Sequence, residues 1–382
     1  MRKVAIVAYG QTKHELDKDS SREKMVFDAA KSTLKMAGLT KADVDTFVSA
    51  SNDYHDGRTI SNAHTVGPLG ADLKDESKVE MDSGAFAGLY AYMRILSGDH
   101  DVALVLGEDM ASCCVPYMPG LLSLDVTYDY PMGLLNEISG AALQASCYMN
   151  KHSVNESSIA KVSVKNLKNG SKNPFALRQM PGITVEEVLK SRMLYSPIRE
   201  LNAYPLTDGA CGILLAEENK AKEITDKPVW IKGVGNCHDT YHLGERTLFG
   251  CDSLKLAAER AYKMAGIDNP EKEIDLAEVH EKFSPEELIF YEALGFCGEG
   301  EGKKLIEDGI TEMDGELPVN PSGGALSACP LCAAGLIRIA EAAMQIREEA
   351  GKHQVRDVKT ALAHGQNGIC AQENIVFILG GE

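Results

Sequence analysis

Ala29-Ala30-Lys31-Ser32-Thr33-Leu34-Lys35-Met36-Ala37-Gly38 and Ala257-Ala258-Glu259-Arg260-Ala261-Tyr262-Lys263-Met264-Ala265-Gly266 read alike: two alanines, four variable residues, then Lys-Met-Ala-Gly. Apolar residues recur at Val26, Ala30, Leu34 and Ala37, and at Leu254, Ala258, Ala261 and Ala265. That spacing gives each segment one core-facing stripe of a helix. Ser20 with Glu23 offers a capping box to the first helix, and Asp252 or Ser253 an N-cap to the second. Gly38 and Gly266 stand where a helix closes on a left-handed residue.

The flanks repeat as well. A strand is expected before each helix, at Val4–Ala8 and Val229–Gly233, and another after it, at Asp45–Ala50 and Ile274–Val279. Further on, each half has a long helix followed by a strand: Ala85–Leu96 with Val102–Leu106, and Ala334–Ala350 with Lys359–Ala363. Strands alternating with helices predict an α/β protein with a mostly parallel sheet covered on both faces. Two copies of the pattern predict a pseudo-twofold molecule. Between them, Pro119 to Leu201 reads as an inserted lid, rich in turn residues but with a charged helix-like run from Glu156 to Asn169. The expected units are 1–118 with 202–224, the insertion 119–201, and 225–382.

Composition narrows the function. Of 382 residues, 44% are hydrophobic and 25% charged, as in ordinary globular proteins. The formal net charge of −17 argues against nucleic acid or an anionic membrane as partner. No stretch approaches the roughly 20 apolar residues that cross a bilayer. The N-terminal Met1–Ala8 is too short an apolar run for a secretion signal and reads as a buried strand. In a long chain with no such signal, the 10 cysteines read as free thiols, which places the protein in a reducing cytoplasm.

Several motifs, in order and over essentially the whole chain, resemble the thiolase superfamily, specifically its sterol-carrier-protein-type and archaeal-type branches. Met81-Asp82-Ser83-Gly84-Ala85 looks like the Cys-x-Ser-Gly elbow that enters a buried helix. Asn173-Pro174-Phe175-Ala176 and Asp208-Gly209-Ala210 look like Asn-Pro-x-Ala and Ser-Asp-Gly-Ala, and Val279-His280-Glu281-Lys282-Phe283 looks like His-Asp-x-Phe. Leu317-Pro318-Val319-Asn320-Pro321-Ser322-Gly323-Gly324 is similar to the glycine-rich stretch before Gly-His-Pro. The resemblance implies the thiolase fold, two αβαβα halves with an inserted loop domain, acting on coenzyme A thioesters. The thiolase subunit of benzoylsuccinyl-CoA thiolase is similar in the same way.

Thiolase chemistry needs a thiolate at a helix N-terminus, an acid or base for the α-carbon, and donors for the thioester oxygen. Met81 stands where the resemblance places the nucleophile, and a thioether has no proton to lose; it reads as a gap-filler. The Gly-His-Pro histidine is replaced by Cys329, which could be an acid/base or a relocated nucleophile. Cys329-x-x-Cys332 could equally be a metal or redox pair, or two inert loop thiols. A zinc site takes about four ligands, and with no second pair in view no metal is expected. By the resemblance, His280 would polarise the thioester oxygen or orient a nucleophile; a structural histidine at a strand end is the other reading. His364 stands where relatives carry a cysteine or histidine acid/base, with Cys370 nearby as a substitute. Ser322, Gly323 and Gly324 are the candidate coenzyme A contacts. His14, His55 and His64 carry no motif and read as surface residues.

Two readings follow. One is a coenzyme A-dependent acyltransferase using Cys329, His280 and His364. The other is a thiolase-fold subunit that has lost catalysis and serves as a structural partner. The resemblance further implies an acyl-CoA substrate, a homodimer core and a small zinc-ribbon/OB-fold accessory subunit.

Overall fold

The computed structural model describes residues 2–16, 19–57, 59–80, 82–114 and 124–381. Met81 and the start of the insertion at 119 lie outside the described residues. The strands are β1 (Val4–Gln11), β2 (Thr46–Ser51), β3 (Asp75–Glu80), β4 (Val102–Met110), a small β5–β6 hairpin (Met193–Tyr195, Ile198–Arg199), β7 (Asp208–Glu217), β8 (Val229–His238), β9 (Leu276–Glu278), β10 (Thr360–Asn367) and β11 (Glu373–Gly380). The helices that matter here are α1 (Arg22–Ala37), α2 (Ala85–Ser97), α3 (Glu137–His152), α4 (Glu156–Gly170), α5 (Asp252–Ala265), α6 (Ser284–Ala293) and α7 (Leu331–Ile346).

The main sheet runs β3-β2-β4-β7-β1-β8-β11-β10-β9. Read outward from the β1–β8 junction, its two sides have the same topology. On each side two inner antiparallel pairings, β1–β7–β4 and β8–β11–β10, lead to a parallel outer pair, β4–β2 and β10–β9. The counterpart of edge strand β3 is a single parallel bridge, Ala277 to Val319. The repeat expected from the helices is therefore a repeat of the whole half. The sheet is mixed, however, not mostly parallel. The reason is the connection: β10 and β11 are joined by a tight turn over 368–372, which only antiparallel strands permit. In the first half the equivalent connection, β4 to β7, is the long stretch Ala111–Thr207. The insertion thus occupies a hairpin tip.

Alternate residues of each strand point to opposite faces. Val4 and Ile6 of β1, Ala103 and Val105 of β4, Ala361 and Ala363 of β10, and Ile375 and Phe377 of β11 share one core with α2 and α7. The residues between them on β1 and β4 pack on α1, and those on β10 and β11 pack on α5 and α6. This makes five layers, with the sheet folded over two central helices. Every residue of α7 but the last is buried, as in a helix sheathed on all sides.

Local expectations mostly hold. Gly38 and Gly266 close α1 and α5 at φ 67° and 74°. The cap of α1 is Ser21, whose hydroxyl accepts from the Lys24 amide, not Ser20. The residue before α5 is Cys251, with no side-chain cap, because Ser253 turns inward to the Ala371 carbonyl. Helix α7 starts at Leu331, directly after Pro330, a position that suits a residue without an amide proton.

Close approach at the centre rests on glycine. A side chain at Gly107 would stand 2.8 Å from the Cys332 carbonyl oxygen and 2.9 Å from the Ala333 Cα. Both are backbone atoms that cannot move aside alone. We expect Gly107→Ala to destabilise the protein by about 1–3 kcal/mol, read as a lowered thermal midpoint, whereas Gly182→Ala, with open space around it, leaves the midpoint unchanged.

Candidate active site

The N-termini of the two central helices meet at the middle of the molecule. A side chain at Gly84, just before α2, would lie 2.8 Å from the Cys332 carbonyl of α7. Each terminus is held by the strand end of the other half. The Asp82 amide donates to Asn367 Oδ1 at the end of β10 (3.1 Å), and the Cys332 amide donates to Asp109 Oδ2 near the end of β4 (3.3 Å). Asp109 and Asn367 are the eighth residues of their strands. On α7 an orphan helix amide is thereby matched with a carboxylate, and on the other side the bond fixes the elbow two residues before the N-cap of α2.

Around this meeting point the structure gathers part of the expected set. Cys329 Sγ lies 3.7 Å from His280 Nε2, both buried. The Gln366 amide donates to His280 Nδ1 (3.4 Å), so the ring proton sits on Nε2, facing the sulfur. Burial, reinforced by Lys282, His364 and Arg338, holds the imidazole well below its ordinary pKa, and it is neutral. Burial also pushes the Cys329 thiol well above its ordinary value, despite the opposing pull of Lys282 and Arg338.

His364 has a different place from the one expected of an acid/base. Its Nδ1 accepts from the His280 backbone amide (3.3 Å), its Nε2 faces Asn374 Oδ1 (2.9 Å), and its ring packs edge-to-face with Phe290. Both nitrogens are engaged, and burial lowers its pKa to about 4. Cys370 is buried in a separate cluster with Leu243 and Ile369, and burial raises its thiol.

The glycine-rich turn is also internal. Ser322 Oγ donates to Glu278 Oε2 (2.6 Å) and receives Arg338 Nη1 (2.7 Å). A side chain at Gly323 would run into Gly170, and one at Gly324 into Glu281. All three residues are buried.

Sequence reasoning missed three groups. Lys282, inside the motif after β9, is buried with its ammonium 2.8 Å from Glu137 and 3.7 Å from Asp82. Burial opposes its charge, but these two carboxylates outweigh it and hold its pKa above the lysine range. Glu137, on α3 of the insertion, also accepts from the Tyr204 hydroxyl (2.7 Å). His55, expected at the surface, is 1% exposed, with Nδ1 2.6 Å from Asp109 Oδ2. Burial lowers its pKa, but Asp109 raises it further, to about 9. His14 is buried too, against Gln11; His64 is exposed. A lysine directly after His280 and Glu281 in the motif was a usable signal for Lys282. The His55–Asp109 pair spans 54 positions and left none.

Among the described residues one trio of potential metal ligands converges, His55, Asp109 and Cys332, with ligand atoms within 4.8 Å of one another. It is not the Cys329-x-x-Cys332 pair. The ten cysteines are all free thiols, and among the described residues no helix is long and apolar enough to cross a membrane. Helix α3 packs nearby: its Ile138, Ala141, Ala142 and Ala145 lie in one apolar cluster with Phe283, Cys329 and Leu331.

The Thiolase C-terminal domain-like family matches residues 235–381. An acetyl-CoA acetyltransferase of Methanothermobacter thermautotrophicus is 34% identical over 378 residues, covering 96% of this chain and 97% of that protein. The chain belongs to the thiolase superfamily. Benzoylsuccinyl-CoA thiolase subunit BbsB of Thauera aromatica is 28% identical over 98% of this thiolase chain and 97% of its own length. A solved structure, the Ltp2-ChsH2(DUF35) aldolase, superposes with TM-score 0.86 at 25% identity over 99% of this chain and 98% of that one. The chain is a thiolase-like enzyme with the thiolase fold.

Replacing Lys282 by methionine leaves the Glu137 carboxylate buried without its cation. We expect a loss of about 3–5 kcal/mol, measured by denaturant unfolding, and partial recovery when Glu137→Gln is added to Lys282→Met.

Proposed function

We propose that this protein is a coenzyme A-dependent acyltransferase that cleaves or forms a carbon–carbon bond in a β-keto acyl-CoA with a non-standard catalytic set. The observation that carries this reading is the buried Cys329–His280 pair at the end of β9, beside Lys282. The neutral His280 presents Nε2–H as a donor for the thioester oxygen, on which charge develops as the α-carbon becomes an enolate. Lys282 adds a fixed positive charge in a site closed to water. A thiol held above its ordinary pKa is a poor nucleophile at neutral pH but a suitable proton donor to a carbanion, and that is the role we assign to Cys329. His364 and Asn374 position His280. The turn Ser322–Gly324 contributes to coenzyme A binding through the loop it shapes rather than through an open face.

We assign the three units as 1–118 with 202–224, 119–201 and 225–382, the insertion serving as lid, and place the enzyme in the cytoplasm. A homodimer core and a small zinc-ribbon/OB-fold accessory subunit complete the proposed assembly. Val126, Tyr128 and Met132 of the insertion are 67%, 65% and 70% exposed, a degree of apolar exposure that suits a partner. Tyr128 and Tyr241 flank the His242 ring, so this surface extends beyond one segment. The similar proteins support a multisubunit assembly: one is named as a subunit, and the aldolase is named for two components.

Methionine in place of cysteine at position 81 favours a second reading, a catalytically degenerate subunit that supports another chain. One assay separates the two. With a β-keto acyl-CoA and free coenzyme A, in the presence of the accessory subunit, wild type should release two shorter thioesters. Cys329→Ala should lower the rate by about 10²-fold while keeping the fold. Unchanged turnover in that variant would remove Cys329 from the chemistry. No turnover by wild type under any condition, together with stable binding to an active thiolase chain, would establish the scaffold.

A further inference from the structure

The pseudo-twofold relation points to where the missing nucleophile has gone. In the first half the elbow before α2 carries Met81, which has no thiol. In the second half the equivalent central helix, α7, carries Cys332 as its second residue, at the N-terminal end of 16 buried or nearly buried residues. The two helix ends touch, Gly84 lying against the Cys332 carbonyl. A sulfur on α7 therefore lies at the same meeting point as the α2 elbow.

We propose that Cys332 is the acyl-accepting nucleophile of this enzyme, with His55 and Asp109 as its acid/base dyad. Three chain segments converge to make the set: the short turn of helix at Asp53–Asp56, the end of β4 and the start of α7. His55 Nδ1 is 2.6 Å from Asp109 Oδ2, and Asp109 also receives the Cys332 amide, so one carboxylate fixes both the imidazole and the helix end. A histidine nitrogen, a carboxylate oxygen and the Cys332 sulfur all lie within 4.8 Å of one another. His55 Nε2 and Asp109 Oδ1 are buried and make no hydrogen bond, leaving polar valences for a reacting group. His55 and Asp82 are within electrostatic reach of each other across the two helix ends. A positive imidazolium with a helix N-terminus is the setting in which a thiol gives up its proton. Cys329, three residues earlier, lacks both and keeps the proton-donor role.

This inference rests on the thiolase-type reading above and adds its missing step. In the resting pair the Cys332 proton already resides on His55, and the sulfur bonds as a thiolate to the β-keto carbon. The bond between the α- and β-carbons then breaks, and the released acyl-CoA enolate takes a proton at its α-carbon from the Cys329 thiol. The thiol of free coenzyme A attacks the acyl-enzyme, its proton going to the Cys329 thiolate, and the carbon–sulfur bond to Cys332 breaks, which returns Cys332 as the thiolate paired with His55.

The test begins on the wild-type chain. Brief treatment with iodoacetamide at neutral pH, followed by peptide mass spectrometry, should label Cys332 ahead of the four other buried cysteines, Cys211, Cys251, Cys329 and Cys370. Incubation with a β-keto acyl-CoA in the absence of free coenzyme A should leave the acyl mass on the same peptide. His55→Gln should slow both modifications by about 10²-fold and reduce the ultraviolet thiolate absorbance, with the thermal midpoint confirming a folded protein. Acyl mass on Cys329, full turnover by Cys332→Ser, or a bound zinc ion that shields Cys332 until chelated would each overturn the proposal. Because alkylation needs no turnover, an unreactive Cys332 fails this proposal alone. A reactive Cys332 in a protein that cleaves no β-keto thioester fails only the reading beneath it.

Discussion

The reciprocal seating of two helix ends is the constraint on which the rest of the structure depends. Asn367 of the second half receives the amide of Asp82 at the α2 elbow, and Asp109 of the first half receives the amide of Cys332 on α7. Buried helix termini cannot leave their amides unsatisfied without a penalty of about 1–3 kcal/mol for each group. The first half therefore completes the start of α7, and the second half fixes the elbow that leads into α2. Gly107 and Gly365, the sixth residues of their strands, let the opposite helix come close enough for those bonds. The same approach brings residues far apart in the chain to one point.

What is assembled there is an unusual concentration of buried charge. Lys282, Glu137, Asp82, His55 and Asp109 come from separate elements and sit near one another with little access to water. Such groups persist only when partnered, and here they are: Lys282 bridges Glu137 and Asp82, and His55 rests on Asp109. Farther in, Arg338 with Glu278 and His353 with Glu341 repeat the arrangement along α7. The insertion takes part in this order, because Glu137 on α3 supplies one of the carboxylates that keep Lys282 charged. Its position at the β4–β7 hairpin tip is what allows it to cover the strand ends.

Much of the fold was legible because it obeys local rules twice. The Lys-Met-Ala-Gly endings, the apolar stripes and the strand lengths before and after each helix are set by residues within a turn or two of one another, and a repeat makes each reading a check on the other. Sheet direction was harder to read. Whether β7 runs with or against β4 depends on the path of the long connection Ala111–Thr207, not on the residues of either strand. A motif in the sequence already singled out His280 and Cys329, and the structure brings the two side chains together. Contacts were not legible: the nitrogens of His364 meet Asn374 and the His280 amide, partners that its position in the chain does not announce. His55 looked like a surface residue because nothing near it in sequence betrays Asp109.

The sequence by itself determined the duplicated α/β architecture, the family to which the chain belongs, and the absence of a thiol at position 81, since each follows from residue identity and short-range spacing. Only the tertiary structure decided which side chains act together. Folding the sheet over α2 and α7 is a long-range event, and it is this closure that pairs His55 with Asp109, sets Lys282 between carboxylates from two layers, and brings Cys332 against the α2 elbow.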